Sequence, residues 1–315
     1  MRHNLPENNL FPPEGLRPQP VFSLQTLQQA MEAGTILEAP VQRCDVEKNL
    51  HISLGAVAAV LPREEVLAPW ISGADRDISI LSRVGKSVCF TVKAIRPDEK
   101  GAPVALLSRR EVQERAVEYF LSHLRPGSVV TAKVTHLAAF GAFLDIGCGI
   151  IAMLPLEQIS VSRISHPRDR FRVGQKILAV VGSVDRERHR FTMTHRELLG
   201  NWLENASWFQ PGETVSGVVR SVKEYGSFIE LTPNLSGLAD CREELSPGDP
   251  VSVYIKSIRP ERMKIKLQLI EKLPGPAPLS PLRYQITDGC LDRWVYSPPN
   301  YEKAPVETVF TAPSP

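Results

Sequence analysis

Two short stretches carry side chains able to do recognisable chemistry. Phe140-Gly141-Ala142-Phe143 and Tyr225-Gly226-Ser227-Phe228 each place two aromatic rings around a glycine and a small residue. Rings held at a surface in pairs offer flat π faces. The matching ligand is another flat face, an unpaired nucleic-acid base, whose stacking on a ring contributes roughly 1–3 kcal/mol. Cations accompany both pairs. Lys133 and His136 precede the first, Arg172 and Lys176 follow it, and Lys223 precedes the second. Positive groups so placed neutralise phosphates, which supplies affinity without reading sequence.

Other chemistries find no residues. The chain has no GxSxG, HExxH, phosphate-cradling glycine loop or GxGxxG, and no acidic cluster spaced for two metals. Asp185-Arg186-Glu187 is a charged turn rather than an acid/base pair. His136, His189 and His195 lack metal-ligand spacing with a carboxylate. The expectation is a non-enzymatic protein with no cofactor, metal or small-molecule substrate.

The elements that must hold these rings occur as a repeat. GSVVTAKVTHLAAFGAFLDI starts at Gly127 and GETVSGVVRSVKEYGSFIEL at Gly212. Each is an alternating Val-rich strand running into the aromatic-Gly-small-Phe segment. The first glycine precedes the second by 14 residues in both copies, whereas Gly127 to Gly174 is 47 residues and Gly212 to Gly248 is 36. The length difference falls after the second strand, in a connection, where deletions are tolerated. Each unit reads as five short strands with turn signals, and a third such unit precedes them as TILEAPVQ, NLHISLG, AVAAVLP, KSVCFTVKAI and PVALLS.

The predicted organisation is mainly β, with three tandem five-stranded barrels joined by short helices. An irregular arm covers 1–23, a barrel opened by a helix over Leu24 to Ala33 covers 24–109, and a linker helix covers 110–126. A barrel at 127–196, a linker helix at 197–211, a barrel with a shortened connection at 212–272 and a Pro-rich tail at 273–315 complete it. The tail carries an aromatic cluster of Trp294, Tyr296 and Tyr301, for which docking onto a barrel is favoured over binding a partner.

Composition is that of a soluble domain protein, 43% hydrophobic and 23% charged. A net charge of +2 excludes a global polycation, but residues 127–196 hold ten Lys/Arg against five acids, and 212–272 hold nine of each. Within the former, Arg163, Arg168, Arg170 and Arg172 form a basic loop expected to track a phosphate backbone. The five cysteines are scattered and read as idle thiols of a reducing compartment. With no signal-like or 18-residue apolar run, a cytoplasmic protein is expected.

Residues 127–196 resemble an S1-type RNA-binding domain, a barrel of the OB-fold class. VTHLAAFGAFLDIGCGIIAMLPLEQIS is similar to that family's first three strands and FRVGQKILAVVGSVDRERHRFTMTHRE to its last two. The third unit is similar through VVRSVKEYGSFIEL, SGLAD and PGDPVSVYIKSI, and the first only through GTILEAPV, VLPREE and RVGKSVCFTVKAI. As a chain of such repeats with little else, it is similar to the bacterial ribosomal S1 proteins in a short form. The resemblance implies an RNA face on the second and third strands with help from the fifth. It assigns Phe140, Phe143, Asp185 and Arg190 in the second unit and Tyr225, Phe228 and Lys264 in the third. Lys133, His136, Arg172, Lys176 and Lys223 complete the candidate RNA-contacting set.

The family's His at the end of the third strand is replaced by Pro155 and by Asp240. An Asp beside phosphates makes the third unit the weaker electrostatic binder. In the first unit Asp45-Val46-Glu47-Lys48-Asn49 stands where rings are expected, so protein docking is the more natural role there. The resemblance thus implies single-stranded RNA or mRNA and the small ribosomal subunit as partners, and no membrane. A ribosome-independent RNA chaperone or RNA-decay regulator, and a protein-interaction scaffold, are the alternatives.

Overall fold

The computed structural model describes residues 10–17, 22–70, 75–240 and 245–310. Most of the Pro-rich arm, four residues of the first unit's insertion, Cys241 with its three successors and the last five residues lie outside them.

Alternation of apolar and polar residues closes three five-stranded barrels in the order strand 1-2-3-5-4. The first consists of β1 (Leu37–Cys44), β2 (Leu50–Leu54), β3 (Val57–Leu61), β4 (Ser87–Pro97) and β5 (Pro103–Ser108). The second consists of β6 (Val129–Ala138), β7 (Gly141–Gly147), β8 (Ile150–Pro155), β9 (Lys176–Asp185) and β10 (Arg190–Thr194). In the third are β11 (Thr214–Lys223), β12 (Gly226–Thr232), β13 (Leu235–Ala239), β14 (Pro250–Arg259) and β15 (Lys264–Lys272). In each, the third and fifth strands pair in parallel and close the barrel. Inward residues such as Val134, Leu144, Leu154, Ala179 and Phe191 fill the second barrel.

Helix α1 (Leu24–Ala33) begins at a Ser23–Thr26 capping box and ends at Gly34 in the left-handed region, where no Cβ penalty applies. Helix α2 (Arg63–Val66) and α3 (Asp75–Leu81) belong to the first barrel's insertion, and α4 (Arg110–His123) leads to the second barrel, burying Val112, Ala116 and Phe120. The second linker departs from a single helix over Glu197 to Ala206. A 3-10 turn over Arg196–Leu199 is separated from α5 (Trp202–Ala206), because Gly200 takes a positive φ and Asn201 then caps a fresh helix.

The arm is more than an irregular extension. Phe11 is buried against Tyr119 and Phe120 at ring distances of 5.3 and 6.1 Å. Glu14 reaches the seam between the first two barrels, where Arg109 donates to its carboxylate from Nε (2.6 Å) and Nη2 (3.0 Å) and Cys89 N–H donates to Oε1 (3.1 Å). Arg109 is completely buried, and Gly149 leaves room for it, since a Cβ there would lie 1.8 Å from Nη2. Burial opposes the charged form of Glu14, but the Arg109 charge overrides it and holds the carboxyl below its usual range.

The tail docks, as its aromatics suggested. Tyr296 donates from its hydroxyl to the Asn234 carbonyl (2.6 Å), and Trp294 is buried beside it. Val129 N–H donates to Gly289 O, and Leu291 N–H to Gly127 O, fastening the tail to the second barrel as well. Its last elements pair as a two-stranded sheet, Arg293–Val295 with Glu307–Val309.

Candidate nucleic-acid interface

Both ring pairs sit at the start of a second barrel strand, and the glycine between the rings is required there. A Cβ on Gly141 would lie 2.4 Å from the carbonyl oxygen of Leu154, and one on Gly226 would lie 2.5 Å from that of Ala239. The close approach of β7 to β8, and of β12 to β13, therefore admits only glycine after the first ring.

The two pairs have nearly the same geometry. Phe140 and Phe143 stand 5.9 Å apart at 87°, and Tyr225 and Phe228 stand 6.2 Å apart at 89°. The outer ring is exposed in both, Phe140 at 60% and Tyr225 at 69%, and the inner ring is half-buried. Such an edge-on pair is a favourable aromatic arrangement that leaves the outer face open. In the second barrel the His136 ring lies 5.9 Å from Phe143, directly across the β6–β7 ladder.

Strand pairing carries each inner ring into a row across the barrel. In the second barrel the row is His136, Phe143, Met153, Thr192 and Ser183. The corresponding row in the third is Ser221, Phe228, Leu238, Lys266 and Ser257. Met153, Leu238 and Lys266 were not among the sequence candidates, because their membership depends on register across strands far apart in sequence.

The predicted cations fall into different situations. Lys176, Arg190, Lys223 and Lys264 are exposed. Arg190 faces Asp185 across the β9–β10 ladder, and Asp185 accepts from Arg188 N–H (3.0 Å) within the turn. Arg172 is exposed but folds over its own loop, donating to Arg168 O (2.6 Å) and Phe171 O (3.3 Å). Lys133 is engaged by the arm, its ammonium donating to Glu14 O (2.8 Å).

The basic loop requires a correction. Arg170 is fully buried, donates from Nη2 to Glu230 and from Nε to Ser160 Oγ (3.3 Å), and presents no charge to solvent. A carboxylate from the third barrel has claimed it.

A second correction concerns the first barrel. Its ladders align Lys48 with Phe140 and His51 with Phe143: Arg43 pairs with His51 as His136 pairs with Phe143, beyond the same bulge. The ring position is therefore occupied by an imidazole. Both side chains are tied down, His51 Nε2 at 2.9 Å from Asp45 Oδ2 and Lys48 in an ion pair with Asp77 of α3. The hydrogen bond from His51 holds the Asp45 carboxyl down at about 2.

Behind the interface, His195 is completely buried. Its Nδ1 lies 2.8 Å from Ile159 O and so carries the proton, leaving Nε2 to accept from the Tyr284 hydroxyl at 3.2 Å. Burial lowers its pKa to about 4, so the ring is neutral and structural.

Residues 123–196 match the family model described as the S1 RNA binding domain. Among curated proteins the chain is similar to small ribosomal subunit protein bS1 of Staphylococcus aureus (strain COL), 26% identical over 269 residues that span 80% of this chain and 66% of the relative. It is 28% identical to the bS1 homolog of Bacillus subtilis (strain 168) over 79% of this chain and 67% of that one, and 25% identical to bS1 of Rhizobium meliloti (strain 1021) over 81% and 46%. The chain thus spans between 46% and 67% of the length of these relatives. A solved multidomain protein with nucleic acid binding domains from Streptococcus pneumoniae is 14% identical over 75% of this chain and 73% of that one, at a TM-score of 0.26.

Proposed function

We propose that this chain, a tandem S1-type domain protein, binds single-stranded RNA through the ring pairs of its second and third barrels. The observation that carries this reading is the duplicated geometry. Two barrels independently hold an exposed ring perpendicular to a half-buried one, at the same strand position and with cations on the strands paired to it. Unstacked bases seat on the outer rings of Phe140 and Tyr225, with Phe143 and Phe228 supporting them, and exposed cations neutralise the backbone. Rings and phosphate contacts do not read base edges, so affinity is modest and nearly sequence-blind.

The substrate we assign is mRNA near the small ribosomal subunit, a role supported by the bS1 relatives. Cosedimentation of the full chain with small subunits at moderate salt tests that assignment. Retention of RNA binding without cosedimentation replaces it by a ribosome-independent RNA chaperone or decay role. Fluorescence anisotropy with oligo(U) against an RNA duplex tests RNA binding itself: preference for the single strand is expected, and equal or absent binding to both contradicts the reading.

A further inference from the structure

We infer that the third barrel is the principal phosphate-binding module, through a cationic strip on β14 and β15, and that the second barrel serves chiefly as a stacking platform. This rests on the RNA reading above and assigns its electrostatic part to particular residues.

The strip consists of Lys256, Arg259, Lys264 and Lys266. All four are exposed, and none makes an ion pair or side-chain hydrogen bond among the described residues. Lys266 continues the row that runs from Phe228 through Leu238, so the strip begins where the ring pair ends. Tyr254, 37% exposed, lies two residues before Lys256 on the same outward side of β14 and adds a ring at the far end.

Register makes the comparison with the second barrel direct. Lys264 faces Arg259 where Arg190 faces Asp185, Lys266 stands where Thr192 stands, and Lys256 occupies the bulge position of Gly182. Four cations in one barrel thus correspond to one cation and one acid in the other. Like charges directly opposed across a ladder destabilise a sheet. Arg259 opposite Lys264 is such a pair, whereas Arg190 has the acid Asp185 as its ladder partner, and among the described residues no carboxylate forms an ion pair with Arg259 or Lys264. The neighbouring Arg262 is neutralised by Glu302 (3.1 Å), and Glu261 lies in the intervening turn. A strip left unneutralised beside a ring pair fits a polyanion threaded over those rings. This reverses the ranking suggested by Asp240 and by the whole-domain charges, because the charge that matters is local to the row.

The test is the salt dependence of oligo(U) binding by the full chain carrying Lys256→Gln, Lys264→Gln and Lys266→Gln together, beside Arg190→Gln alone. With about 0.7 in log–log slope per single-strand phosphate contact, the triple variant is expected to flatten the slope by about 2, and Arg190→Gln by no more than about 0.7. An unchanged Tm, or a raised one from relief of the Arg259–Lys264 repulsion, shows the barrel intact. An unaltered slope in the triple variant, or an equal loss from Arg190→Gln, overturns the assignment while leaving stacking in place. Failure of the unaltered chain to bind oligo(U) at low salt removes the RNA reading itself.

Discussion

Arg170 of the second barrel and Glu230 of the third form a buried ion pair, with side-chain exposures of 0% and 1%. Arg220 completes the site, donating to Glu230 from Nε (2.7 Å) and Nη2 (3.1 Å). Around it, Asn234 accepts from Val161 N–H and donates to Arg196 O and Gly200 O, tying the third barrel's turn to the second barrel and the linker. The two ring-bearing barrels are thereby held in one arrangement rather than strung on a free linker.

Glu230→Gln leaves buried Arg170 without its ion-pair partner and Arg220 with only the more distant Asp169 carboxylate, at 3.9 Å. Removing one partner of a buried pair typically costs about 3–5 kcal/mol. The expected result is a lower denaturation midpoint, together with a broader small-angle scattering profile as the barrels separate. A variant with unchanged stability and scattering contradicts a structural role for the pair.

Glu14→Gln makes the corresponding case at the first seam. It weakens the only carboxylate that meets completely buried Arg109 directly among the described residues. A loss of several kcal/mol is expected, with proteolysis appearing between the first and second barrels. Unchanged protease resistance contradicts it.

His195 gives a pH dependence of known sign. Its folded pKa of about 4 lies below the ordinary value of 6.5, so the folded state resists protonation that the unfolded chain accepts. The stability it confers is complete above pH 6.5 and is lost as pH falls toward 4, amounting to about 3 kcal/mol. Asp145 acts oppositely. Burial and the adjacent Glu14 charge raise its carboxyl to about 7, against three backbone N–H bonds from Glu14, Gly147 and Gly149. The stability of its protonated form is present below its ordinary 3.8 and lost as pH rises through 7. The His195 contribution is therefore read as a difference: denaturation free energies of the unaltered chain and His195→Asn, measured from pH 7 to 4, should converge as pH falls. Parallel curves contradict the assignment.

These relationships show what one sequence makes legible. Strand alternation, the repeated ring-Gly-small-Phe stretch and the helical stretch from Leu24 to Ala33 are local, and the barrels, the exposure of Phe140 and Tyr225, and α1 follow from them. Arg170 was visible as a charge, but its partner Glu230 lies 60 residues away, and nothing in the basic loop marks which Arg is claimed. Glu14 and Arg109 are 95 residues apart and unremarkable singly. In the first barrel the outer-ring position, Lys48, falls within Asp45–Asn49, but the inner one, His51, lies two residues past it. Lys48 adopts a positive φ in the β1–β2 connection, and the bulge in β1 brings His51 into the inner-ring register, neither of which composition reveals.

The account rests on bases stacking against Phe140 and Tyr225, and the most direct measurement is oligo(U) affinity of the full-length Phe140→Ala, Tyr225→Ala double variant. Both rings are exposed at strand starts, so the barrels should retain their Tm. The expected loss is about 2–6 kcal/mol of binding free energy, with the salt slope unchanged because no phosphate contact is removed. Full affinity in a folded double variant contradicts the account.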